Sequence, residues 1–140
     1  MTREQRIFKL AVSHVKAVAA LPEATYKIYG GLCHRVPVMI LTCGLQQTLA
    51  FIDAKSIGTD DRANAYRAIR SHLTVILQQS QMGIVINEGQ VLSEVVAILP
   101  TEKYAMATRL LRPALVFYKR FAVSILKVDD SISADEGGKD

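Results

Sequence analysis

Apolar residues along this chain recur at intervals of three and four, the repeat that gathers them on one side of an α-helix, and they do not follow the alternation of a strand. The densest stretch is residues 29–53, YGGLCHRVPVMILTCGLQQTLAFID, where Leu32, Val36, Met39, Ile40 and Cys43 are followed by Leu45, Leu49 and Ile52. Gly44 divides this run and predicts two helical segments meeting there, while Pro37 suits a first helical turn or a kink. Gly30 and Gly31 permit close approach of backbones. A hairpin this apolar cannot stand alone in water, so the pattern predicts other helices covering it.

Upstream, Thr2 before Arg3-Glu4-Gln5 reads as a helix cap, and Ile7, Leu10 or Ala11, His14, Val18 and Leu21 form an apolar stripe ending at Leu21-Pro22. A second helix is predicted over residues 23–35. Residues 55–61 read as a loop around Gly58, with Thr59, Asp60 and Asp61 offering caps for a helix from near Arg62. Its core face is Tyr66, Ile69, Leu73, Ile76 and Leu77; Gly83 ends it, and residues 79–87 read as an extended loop. A shorter helix from Glu88 or Gly89 to Leu99 is stopped by Pro100, and Thr101-Glu102 offers a cap for the last helix. There Tyr104, Thr108, Leu111, Leu115, Tyr118, Ala122 and Ile125 make a seam reaching about Val128, flanked by Arg109, Arg112 and Lys119. Pro113 interrupts the seam, and because an interior proline costs roughly 3 kcal/mol in an unkinked helix, a kink or a restart is expected. The expected fold is all-α, a compact bundle of about five to six helices with a long C-terminal helix.

Composition places the chain among single globular domains: 140 residues, half of them apolar, with four prolines. Residues 1–128 are expected to form that domain. Residues 129–140 hold five acids against Lys139, a charge of −4, and are expected to remain a disordered acidic tail. Since the whole chain carries +4, residues 1–128 carry +8, a surplus that suggests a polyanionic partner. No signal peptide or membrane-length apolar run is present, so a soluble cytoplasmic protein without membrane contact is expected, with Cys33 and Cys43 reduced.

Candidate chemistry is sparse. Gly30-Gly31 matches neither a Walker motif nor a dinucleotide fingerprint, and Cys33, His34 and Cys43 lack zinc-site spacing. Adjacent Cys33 and His34 point about 100° apart on a helix and cannot form a nucleophile pair. Asp60-Asp61 and Asp129-Asp130 lie at helix margins, where capping accounts for them. Neither a catalytic residue, a metal site nor a cofactor is expected. Basic residues remain: Lys9 and Lys16 lie on one stripe of the first helix, and Arg67 and Arg70 lie among hydroxyls and amides that can also meet phosphate. Solvated helix faces carry the same pattern.

Two stretches, YGGLCHRVPVMILTCGLQQTLAFI and YAMATRLLRPALVFYKRFA, together resemble the small all-helical subunit of type III-B CRISPR effector complexes, the Cmr complexes that use a guide RNA to find target RNA. The matching features are a tyrosine-glycine, a basic residue before an apolar-proline pair, Gly-Leu and Gln-x-Leu-Ala-Phe, then Thr-Arg and aromatic-x-Lys-Arg-Phe-Ala. The chain departs from the family pattern at Leu110, Pro113 and Phe117. The resemblance covers about residues 3–128 and implies a noncatalytic subunit that stacks with further copies of itself beside the backbone and large subunits. It also implies a basic face holding guide and target RNA, with Arg35, Arg109, Lys119 and Arg120 at the matching positions. The rival expectation is a helical protein-protein adaptor without nucleic-acid contact.

Overall fold

Thr2 and Gln5 cap each other at the start of the chain. The Thr2 hydroxyl accepts from the Gln5 N–H at 3.1 Å and the Gln5 side chain accepts from the Thr2 N–H at 2.8 Å, opening α1 (Arg3–Ala19). The structure is a computed structural model and describes residues 1–80, 83–87 and 90–129. The expectation for the acidic tail falls on residues outside those described, apart from Asp129.

After Pro22 comes α2 (Glu23–Cys43), then α3 (Leu45–Lys55), joined at Gly44, whose φ of 90° is a backbone conformation that favours glycine. The next helix, α4 (Asp61–Gln78), is capped by Asp60, whose carboxylate accepts from the Ala63 N–H at 2.8 Å. Replacing Asp60 with alanine should lower stability by about 1 kcal/mol, read as a fall in the urea midpoint with an unchanged m-value. Two further helices follow, α5 (Leu92–Ala97) and α6 (Thr101–Ser124). The protein is all-α among the described residues, with a long C-terminal helix, as the periodicity predicts.

Five details differ from the sequence expectation. The helix predicted to end at Arg35 continues through Pro37 to Cys43, and of the kink or restart expected at Pro113 the restart does not occur, α6 being one helix. In each case a proline removes one backbone hydrogen bond, but the turns on both sides are pinned by buried residues: Val36 and Ile40 in α2, Leu111 and Ala114 in α6. Helix α4 stops at Gln78, before Gly83, and α5 is a six-residue helix shorter than the predicted segment. The N-cap of α6 is Pro100, with Thr101 as its first helical residue.

Packing centres on α2, which lies against both α4 and α6; α1 covers α6, and α3 is held by α4 and α5. The fully buried Tyr29, Tyr66 and Tyr118 anchor the core. Asp53 ties three helices together, accepting the Ser93 N–H at 3.0 Å and lying 3.6 Å from Arg70. Beyond α6, Lys127 takes a φ of 61° and folds Val128 back onto Gly30 of α2.

Candidate nucleic-acid interface

Helix α6 buries Leu111, Leu115, Tyr118 and Ala122, which forces the opposite side outward. At 100° per residue, Arg109, Arg112, Lys119 and Arg120 then fall within an arc of about 100° on that outer side, and Arg109 to Arg120 covers about 16 Å of axis. All four are exposed. Among the described residues none of the four has an ion-pair or hydrogen-bond partner, so their charge faces solvent.

Shallow grooves flank this ridge. On the α1 side Arg3, Arg109 and Arg120 surround an apolar floor of Ile7, Leu110 and Phe117 in a groove of about 420 Å³. On the α2 side Pro37, Val38, Leu41 and Val116 line a groove of about 570 Å³, rimmed by Arg109 and Arg112. Val38 and Leu41 are 58% and 63% exposed, which makes this flank an apolar surface beside the cations.

The other sequence candidates lie elsewhere. Arg35 turns to the α4 side of α2, where its guanidinium sits 5.7 Å from the Phe51 ring centre and 3.5 Å from the Tyr66 hydroxyl. Arg67 donates to the Ser56 and Gly58 carbonyls at 2.5 and 2.6 Å and to Asn64, which fastens the α3–α4 loop. Arg70 faces Asp53. Lys9 and Lys16 are exposed on α1. The fold therefore joins Arg109, Lys119 and Arg120 in one surface and leaves Arg35, Arg67 and Arg70 bound to their own neighbours. It adds Arg112, visible in the sequence at three residues from Arg109 but not included among the expected RNA contacts. Arg3 lies off this ridge, at the rim of the α1-side groove, where only the packing of α1 on α6 brings it.

A second concentration of polar chemistry lies where α1, α2, α4 and α6 meet. The His14 and His72 rings stack with centroids 3.9 Å apart and planes 6° from parallel. His14 Nδ1 is 2.7 Å from the Tyr118 hydroxyl, and His72 Nδ1 is 2.7 Å from that of Tyr29. Burial, with His14 alongside, pulls His72 down to about 3; burial lowers His14 as well. Burial raises the Tyr29 and Tyr118 hydroxyls and the Cys33 thiol. At neutral pH the cluster is uncharged and serves to join four helices. Both cysteines are free thiols, Cys33 buried and Cys43 exposed. Among the described residues no three His, Cys, Asp or Glu side chains are grouped to hold a metal ion, and no helix is long and apolar enough to cross a membrane.

Fold and surface together define a small protein, all-α among the described residues, with a ridge of exposed cations along α6. The sequence profile of the CRISPR-associated protein family Cas_Cmr5 matches residues 3–125. The chain belongs to that family, the small subunit of the type III-B Cmr complex. No curated protein and no solved structure matches the chain.

Proposed function

We propose that this protein is a noncatalytic subunit of the Cmr effector that holds guide and target RNA by their phosphates through the outer face of α6, stacking with further copies beside the backbone and large subunits. The observation that carries this reading is the ridge of Arg109, Arg112, Lys119 and Arg120, four solvent-facing cations without an ion-pair partner among the described residues. Such cations hold phosphates without reading bases, so sequence selection falls to pairing with the guide. The apolar groove of Pro37, Val38, Leu41 and Val116 supports contact with a protein neighbour beside the RNA. Lys9 and Lys16 extend positive charge along α1, whereas Arg35, Arg67 and Arg70 act first as structural contacts.

The test is binding of a guide–target RNA duplex across a salt series. Arg112→Glu with Lys119→Glu should weaken affinity about tenfold at low salt and reduce the slope of log K against log salt by about two. Unchanged RNA binding with retained assembly into the complex would instead identify a protein-protein adaptor.

A further inference from the structure

The groove between α1 and α6 sets an aromatic floor among three arginines. Phe117 lines it, and the Phe8 ring meets Phe117 edge to face at 5.5 Å and 83°, which fixes the Phe117 ring from the side. Ile7 and Leu110 complete the apolar base, with Arg3, Arg109 and Arg120 at the rim and Glu4 the single carboxylate. Pro113 and Ala114 of α6 complete the wall. A volume of about 420 Å³ suits one small ligand and is too small for a helix or a duplex.

The chemistry specifies the ligand. An apolar floor with an aromatic ring takes a planar base, which every nucleotide offers irrespective of sequence. Three guanidiniums take the attached phosphates, and the Glu4 carboxylate can accept from a base amine. An apolar peptide would leave the three arginines unused. We infer that the α1–α6 groove binds a single unpaired RNA nucleotide, its base against Phe117 and its phosphate between Arg3 and Arg120. This rests on the proposed RNA contact and adds to it a discrimination: the ridge holds backbone whether paired or not, and the groove selects a nucleotide that has left the stack.

The full-length protein is titrated with a single-stranded oligoribonucleotide carrying 2-aminopurine and with a perfectly paired duplex of equal length. The expected result is that Arg3→Ala lowers single-strand affinity about fivefold, and Phe117→Leu lowers it about tenfold and abolishes the change in 2-aminopurine fluorescence, while duplex affinity stays within twofold. Arg3 is exposed at the chain's start, so its variant remains informative should Phe117→Leu melt early. Equal losses for strand and duplex, or no loss for either, would overturn the inference while leaving the ridge intact. A wild-type protein that binds neither RNA removes the RNA reading and this inference together. Loss of a neighbouring subunit on Arg3→Ala with RNA binding unchanged would show that the groove takes protein.

Discussion

Stability is expected to fall steeply as pH drops below about 6, and His72 is the main cause. In the unfolded chain a histidine takes up its proton near pH 6.5, but in the folded protein burial beside His14 holds His72 neutral down to about 3. Between those values the unfolded state binds the extra proton, so stability present above pH 6.5 is progressively lost as the pH falls through this window. Each unit removes about 1.4 kcal/mol, and the full window on the order of 5 kcal/mol, comparable with the whole stability of a small domain. His14 acts in the same direction, and charging both would set two cations in rings 3.9 Å apart. Tyr29, Tyr118 and Cys33, the other titratable groups of the cluster, stay protonated throughout this range and offer no compensating negative charge. Urea unfolding at pH 8, 6 and 5 measures the effect. In His72→Phe the Tyr29 hydroxyl loses its hydrogen-bond partner, so the variant should be weaker at pH 8 but show a much shallower acid slope. An unaltered slope would assign the acid response to other groups.

Gly30→Ala is expected to destabilise the protein by about 1–3 kcal/mol despite the high helix propensity of alanine. A Cβ at this position would lie 2.6 Å from the Val128 Cβ and 2.7 and 2.9 Å from its two methyls. Val128 cannot swing away cheaply, because a β-branched side chain has few rotamers and its backbone is held on both sides. Its N–H donates to the Ala122 carbonyl at 3.0 Å, and its own carbonyl meets His34 Nε2 at 2.9 Å. The methyl therefore dislodges the segment that closes the bundle after α6. Thermal melts of Gly30→Ala, of Val128→Gly and of the double variant test this. The second change removes the obstructing side chain, so the clash makes the two costs non-additive. Strict additivity would rule out this contact as the cause.

The cationic ridge was legible because one helix carries it. Arg109, Arg112, Lys119 and Arg120 share α6, so steps of three and seven, with Arg120 next to Lys119, placed them on one side before any packing was known. Arg35, Arg67 and Arg70 also sit in well-predicted helices, but their occupation by Phe51, by the Ser56 and Gly58 carbonyls and by Asp53 depends on partners from other elements. A basic residue that fastens a loop and one that faces solvent look alike in sequence.

The sequence alone determined the helices and most of their boundaries. Caps such as Thr2 and Asp60, the left-handed break at Gly44 and a repeat of three and four all act within a turn or two of the chain. The tertiary structure decided what happens at Pro37 and Pro113, where each local penalty is outweighed by the burial of neighbouring turns against other helices. It also decided which faces meet: His14 stacking on His72, Val128 seated on Gly30, and Arg3 brought to the side of Arg109 and Arg120. Those outcomes depend on the packing of surfaces distant in sequence, whose steric fit no local spacing encodes.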